Sequence, residues 1–120
     1  IEVPIRSIDD LELKELEFSL MKIDVEGYEK FVILGAKNTI KNVNCIYFEV
    51  IPKNYEKYDY APKEIFDFLI NEGFQLFIIS KEKKITPIKT NFDRYVANVL
   101  AIRKIDDFLE RTKFSLENEK

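Results

Sequence analysis

Two carboxylates stand close together in the stretch "MKIDVEGYEKFVILGA" (residues 21–36): Asp24 and Glu26, with Lys22 ahead of them and Gly27 behind. On a strand, alternate side chains share a face, so Leu20, Lys22 and Asp24 point one way and Met21, Ile23 and Val25 the other. Asp24 then lies near the carboxyl end of its strand, the rim at which open α/β sheets bind ligands. Gly27 lets the chain turn sharply there. Glu26 sits in that turn, and Glu49 falls near the same end of the next expected strand. Three carboxylates on one rim can hold Mg²⁺ through oxygen ligands. The same residues also have a structural reading. A lysine and an aspartate two residues apart neutralise one another, which lowers the cost of burying either. Glu26 and Glu29 at a helix start stabilise it by about 0.3–1 kcal/mol.

Other groupings carry less. Glu12-Leu13-Lys14 has the E-x-K spacing of a metal-dependent nuclease, with Asp9 or Asp10 as partner. That site needs a strand, and these residues fall in an expected helix. Tyr55, Tyr58 and Tyr60 could stack on a sugar or base, or could simply pack a loop. The absence of histidine removes His-based triads, His general bases and His-ligated metals together. The single Cys45 cannot form an internal disulfide and sits in an apolar run, which points to a reducing, cytoplasmic compartment. Nineteen basic against 22 acidic residues, net −3, is not the balance of a general nucleic-acid binder. No apolar run reaches the roughly 18–20 residues of a membrane span, and no signal peptide is visible. Neither nucleic acid nor membrane is expected as a partner.

The elements that must position the carboxylates follow from periodicity. At 120 residues and 46% hydrophobic content, with ten Phe and six Tyr, the chain is one globular domain at most. It is small for a complete nucleotide-handling enzyme, and from Ile1 it reads as a piece of a longer product. Glu2–Arg6 is extended, with Pro4 disfavouring a central strand. Ser7 to Asp10 fits a capping box, and Leu11, Leu13 and Leu16 predict a short helix after it. A strand is expected over Ser19–Val25, then a helix over Glu29–Asn42 with Val32, Ala36 and Ile40 on one stripe. Gly35 within that helix would allow close helix–sheet packing.

A second strand covers Asn44–Ile51 and is stopped by Pro52; a polar, tyrosine-rich loop, Lys53–Ala61, follows. Pro62 opens a helix that runs to Gly73. Strands over Gln75–Ser80 and Arg94–Ile102 are expected to pair antiparallel. Ile105–Lys120 reads as a frayed amphipathic helix and tail, with Phe108 and Leu109 able to dock. This β-α-β-α-β-β order predicts a three-layer α/β fold whose parallel sheet finishes in an antiparallel pair.

"LMKIDVEGYEKFVILGA" resembles the signature of the FkbM family of S-adenosylmethionine-dependent methyltransferases: lysine-isoleucine-aspartate-valine-glutamate-glycine at a strand end, then a helix with leucine-x-glycine-alanine. "VPIRSIDDL", "IYFEV", "NEGFQLFII" and "VANVLAI" resemble the family's flanking segments, so the likeness runs over residues 2–104. It implies a Rossmann-like methyltransferase sheet of strand order 3-2-1-4-5-7-6, of which this chain holds strands 4-5-7-6. The chain would be the carboxyl-terminal half, residues 1–120, with 106–120 as tail. The glycine-rich cofactor loop and the ribose-binding acidic residue have no counterpart here; Gly27, Gly35 and Gly73 form no GxG.

The resemblance further implies S-adenosylmethionine as cofactor, a hydroxyl of a sugar or other small metabolite as acceptor, and the missing amino-terminal half as partner. On it, Asp24 orients the cationic end of the methyl donor or the acceptor hydroxyl, and Glu26 is the general base or a substrate contact. Glu49 is a further substrate contact, as is Tyr28, which holds a position commonly small in the family. Positioning supplies much of the rate in such a transfer, and a carboxylate helps by accepting the hydroxyl proton. The isolated 120 residues are expected to be inactive. The competing expectation is a non-catalytic, methyltransferase-like remnant or interaction module. Lacking a first-strand neighbour, Ser19–Val25 would expose an edge guarded only by Lys22, unless Glu2–Arg6 folds back. Self-association through residues 19–25 is therefore expected.

Overall fold

The computed structural model describes residues 1–13, 15–88 and 96–117. Its strands are β1 (Met21–Ile23), β2 (Cys45–Val50), β3 (Gln75–Lys81), β4 (Lys84–Pro87), β5 (Ala97–Ile102) and β6 (Ser115–Leu116). Helices are α1 (Glu29–Leu34), α2 (Pro52–Glu56), α3 (Pro62–Asn71) and α4 (Ile105–Thr112), with 3-10 turns at Asp9–Leu11 and Thr39–Asn42. The strands form one mixed sheet in the order β1-β2-β5-β3-β4-β6. β1 runs parallel to β2, with Lys22 opposite Tyr47. β5 lies antiparallel between β2 and β3, so the expected antiparallel pairing of the last two predicted strands is present. The residues Thr90–Tyr95, where that strand was expected to begin, include Arg94 and lie outside those described. β4, which hairpins onto β3, and β6, parallel to β4, have no counterpart in the sequence reading.

Alternation along β2 divides the core. Ile46, Phe48 and Val50 pack with Val99 and Ala101 of β5 against Ile33 of α1, Ile40, and Ile65 and Leu69 of α3. Cys45, Leu100 and Ile102 face the other way, with Phe77 and Ile85, against Ile105, Phe108 and Leu109 of α4. The expected amphipathic helix is present from Ile105 to Thr112 with Phe108 and Leu109 docked, and instead of fraying it is followed by a strand, with Phe114 against Phe108 at 5.5 Å between rings. Each fully buried aliphatic side chain contributes about 1.5–3 kcal/mol, so helices on both faces hold the sheet.

Three expectations need correction. The helix over Glu29–Asn42 ends at Leu34, because the Ser7–Asp9 segment docks against it. The Asp9 N–H donates to the Gly35 carbonyl at 2.9 Å. The Asp9 carboxylate accepts from the Asn38 and Thr39 N–H groups at 3.1 and 2.9 Å and from the Thr39 hydroxyl at 2.8 Å. That remote side chain caps a new turn where periodicity alone continues the helix. Gly35 accordingly approaches Ser7, whose Cβ would lie 3.1 Å from an added Cβ, and not the sheet.

The helix expected through Leu11, Leu13 and Leu16 is also shorter. Ser7 and Asp10 exchange the two hydrogen bonds of a capping box, at 3.2 and 3.3 Å. The turn then stops at Glu12, whose φ of 55° is left-handed, and leaves Leu11 and Leu16 exposed. The tyrosine-rich loop, lastly, is partly helical. Pro52 ends β2 and at the same time opens α2, and Tyr55 is completely buried.

Arg103 joins the layers. Its Nε donates to the Val43 carbonyl at 3.1 Å, its Nη2 to Ile40 at 2.7 Å and its Nη1 to Glu72, while the guanidinium lies 4.0 Å over the Phe74 ring. These carbonyls lie at the end of a 3-10 turn and of α3, where helix-end acceptors turn to outside donors, and the Ile40 carbonyl also accepts the Val43 N–H at 3.1 Å. A lysine ammonium cannot serve three carbonyls from one fixed fork. Arg103→Lys is expected to cost about 1–3 kcal/mol, read as a lower urea midpoint. A loss below the error of that measurement would show that the clamp is dispensable.

Asp9 makes stability depend on pH. Partial burial raises its pKa, but the hydrogen bonds from Asn38 and Thr39, helped by Lys37, outweigh it and hold the carboxyl below the ordinary 3.8. A depressed folded value means that the contribution is complete above the ordinary carboxylate value and is lost as pH falls through the lower folded one. Asp9→Asn should therefore lower stability at neutral pH and flatten the fall in urea midpoint below about pH 4.

Candidate active site

β1 ends at Ile23, and the chain continues through Asp24 and Val25 into a tight turn. Glu26 has a φ of 48° and Gly27 one of 109°. Two successive left-handed residues reverse the chain within one step, and the non-glycine one stores strain. A Cβ on Gly27 would sit 2.7 Å from the Asn54 carbonyl oxygen, so α2 packs directly on the turn.

Three side chains hold it. The buried Glu29 carboxylate accepts the Gly27 N–H at 2.8 Å, and the Tyr60 hydroxyl donates to the Gly27 carbonyl at 2.6 Å. Tyr60 stacks on Tyr55 at 4.6 Å, and the Tyr55 hydroxyl donates to the Glu49 carbonyl at 3.3 Å. Burial pushes the Tyr60 hydroxyl up to about 12 and raises Tyr55 as well, so both remain protonated donors at neutral pH. These rings are girders under the turn and are not free to stack on a ligand. Tyr58 is the exposed member of the three.

Asp24, Glu26 and Glu49 line one small cleft of about 20 Å³ together with Glu29, Asn54 and Tyr55. Asp24 and Glu49 also border an adjoining hollow of about 120 Å³, with Lys22, Tyr47 and Asn98. The three carboxylates singled out from sequence thus meet at one rim, and all three are exposed. Tyr28 does not line either hollow. Its half-exposed ring rests on Phe31 at 4.6 Å and Tyr58 at 5.3 Å.

The Lys22–Asp24 ion pair suggested by spacing is not formed among the described residues. Lys22 Nζ lies instead 5.9 Å from the centre of the Tyr47 ring. No group of three or more His, Cys, Asp or Glu among the described residues is placed to hold a metal ion. In the E-x-K triplet, Glu12 lies outside any strand and Lys14 lies outside the described residues. Glu29, Asn54 and Asn98 were missed as parts of the site. A proline one residue after a strand was the signal available for Asn54, since proline suits a first helical position.

A family model described as the Methyltransferase FkbM domain matches residues 1–76, more than half of the chain. The chain belongs to the FkbM methyltransferase family. The match includes Asp24, Glu26, Tyr28 and Glu49 and stops at Leu76, so the likeness of "VANVLAI" falls outside it. No curated protein and no solved structure matches. Among the described residues no helix is long and apolar enough to cross a membrane.

The family's methyl donor can be weighed against these hollows. Pockets that enclose a small organic ligand measure about 300–1,000 Å³, far more than the 20 and 120 Å³ found at the carboxylates. Exposed carboxylates can meet a cationic or hydroxyl group, but they cannot enclose a nucleoside. The two hollows at the carboxylates are too small to enclose the donor.

The strained turn yields a paired test in urea denaturation. Glu26→Gly removes the left-handed penalty and should raise stability by about 0.5–1 kcal/mol. Gly27→Ala should lower it by at least about 1–3 kcal/mol, from positive φ and the contact with Asn54 together. Equal stability of the two variants would contradict this account of the turn.

Proposed function

We propose that this FkbM-family chain supplies the acceptor side of an S-adenosylmethionine-dependent O-methyltransferase, acting on a hydroxyl of a sugar or other small metabolite in the cytoplasm. The observation that carries the reading is the meeting of Asp24, Glu26 and Glu49 at one exposed rim within the family-matched segment. Glu26, raised on the strained turn, takes the hydroxyl proton. Asp24, which lines both hollows, orients the acceptor or the donor's cationic end, with Glu49 beside it as a substrate contact; Tyr28, outside both hollows, is kept as a further substrate contact on the family likeness alone. Proton acceptance by a positioned carboxylate is worth about 10²–10⁴-fold in rate. The sheet is read as strands 4-5-7-6 of a three-layer Rossmann-like methyltransferase fold, with the glycine-rich cradle contributed by an amino-terminal half.

A second reading, a non-catalytic remnant or interaction module, is favoured by one observation: the hollows at the carboxylates are too small to enclose a cofactor. The two readings separate in a reconstituted protein. The 120-residue chain alone should show no methyl transfer and no better than millimolar S-adenosylmethionine binding by calorimetry. Joined to an amino-terminal cradle, it should transfer methyl groups, and Asp24→Asn or Glu26→Gln should each lower kcat/KM by about 10²–10⁴ without lowering Tm. Wild-type turnover in both variants would remove them from the mechanism, and micromolar cofactor binding by the isolated chain would contradict the half-site reading.

A further inference from the structure

β3 and β4 are joined by a turn at Glu82 and Lys83, flanked by Lys81 and Lys84, which pair across it. β6 brings Lys113 alongside. Ser115 pairs with Lys84, and its N–H donates to the Lys83 carbonyl at 2.9 Å. All four lysines are exposed, and none forms an ion pair among the described residues. Glu117 accepts from the Ser80 hydroxyl at 2.5 Å, and Glu82 is the acidic residue of the turn. In a chain of net charge −3, this tip concentrates positive charge.

Structural reasons account for part of it. Lys113 follows α4, where a cation suits the helix's carboxyl end. Lysines also guard open sheet edges. Here β3 lies between β5 and β4, and β4 between β3 and β6, so neither strand of the hairpin is an edge. Lys83 and Lys113 moreover have φ of 57° and 64°. Both positions hold a lysine where glycine would be unstrained, and such strain collects at functional sites.

Register places the tip on the rim of the candidate active site. Ile23 pairs with Phe48, so Asp24 is level with Glu49, and Glu49 pairs with Asn98 of β5. Ile78 pairs with Val99, so Ile79 falls level with Asn98, and Lys81 stands just beyond it on the same side. Neighbouring strands lie about 4.8 Å apart, which sets β3 about 10 Å and β4 about 14 Å from β2. The rim is thus polarised, with carboxylates at β1 and β2 and lysines at β3, β4 and the start of β6. The hairpin is on the far side of the sheet from β1, so a strand added beside β1 leaves it uncovered.

Resting on the reading of the carboxylates as an acceptor site, we propose that the lysine tip binds a phosphate group of the acceptor, which makes that acceptor a sugar phosphate. Lysine is a point-charge phosphate binder on a flexible four-carbon stem, and the stem shortens the gap to the length of a phosphorylated sugar. A phosphate is repelled by Asp24, Glu26 and Glu49 and attracted by the tip. The charge order of the rim therefore decides which end of the acceptor meets the carboxylates.

NMR titration of the isotope-labelled 120-residue chain at low salt, with UDP-glucose as the probe, tests this without any methyl donor. UDP-glucose should shift the amide signals of residues 81–84 and 113, glucose should not, and inorganic pyrophosphate should compete. Lys81→Gln, Lys83→Gln and Lys84→Gln together should weaken binding about tenfold, and added salt should weaken it too. Should the triple variant not fold, Lys84→Gln alone should cost about threefold. Absence of shifts at the tip, shifts spread evenly over lysines elsewhere, or unaltered binding in the variants overturns the inference. Binding of heparin without UDP-glucose overturns it as well, in favour of a polyanion surface. The two readings fail separately. Methyl transfer to an uncharged sugar with no phosphate binding at the tip removes this inference alone, and phosphate binding without methyl transfer keeps the phosphate site and removes the enzyme reading.

Discussion

The rim depends on one close contact, the Gly27 turn packed beneath the Asn54 backbone. With 2.7 Å between a notional Gly27 Cβ and the Asn54 carbonyl oxygen, no side chain fits, and α2 descends onto the turn directly. That descent carries Tyr55 into the core, where it stacks on Tyr60, and the Tyr60 hydroxyl closes the loop on the Gly27 carbonyl. Glu29 completes the arrangement from below through the Gly27 N–H. A buried carboxylate without a partner would be costly, and here the turn's own amide supplies one. The result is a rigid pedestal whose upper side carries Asp24, Glu26 and Glu49.

Strain and support are thus placed next to each other. Glu26 stands in a left-handed conformation that an ordinary surface glutamate avoids. Such conformations persist only where the surroundings over-determine them, and at this turn the surroundings are two buried tyrosines, a buried glutamate and a helix start. The carboxylates themselves remain in solvent, so the protein spends its burial on the support and leaves the rim free to meet a polar group. The opposite face of the sheet has another character. An apolar hollow of about 390 Å³ lies between the sheet and α4, bordered by Tyr47, Leu100 and Phe108. Cys45 lies there too, its thiol pushed up to about 12 by burial, which makes it an inert core group.

β1 links these features. Its Ile23 belongs to the core, its Asp24 to the rim, and its outer edge to solvent. A strand of three residues with a single neighbour is a weak structural member. It holds position through Ile23 and through the turn that follows.

Much of this was legible in the residues alone. The short apolar runs "NCIYFEVI" and "QLFIIS" specify strands, because runs of that length bounded by turn residues fit a buried strand, and Asp24, Glu26 and Glu49 were placed on one rim by strand periodicity and Gly27. The Ser7–Asp10 capping box is a local motif, and it formed as read. What only the tertiary structure decided were events set by partners distant in sequence. The helix after Glu29 broke because Asp9, about thirty residues earlier, capped the backbone at Asn38 and Thr39. Tyr55 and Tyr60 became core because Gly27 offered a carbonyl and a close approach, although their local sequence reads as polar loop. Arg103 became a clamp because carbonyls at the ends of two separate elements, the Thr39–Asn42 turn and α3, converged on it. Local sequence carries propensity and period, while caps, clamps and buried hydroxyls are settled by whichever unsatisfied backbone groups the fold brings within about 3 Å.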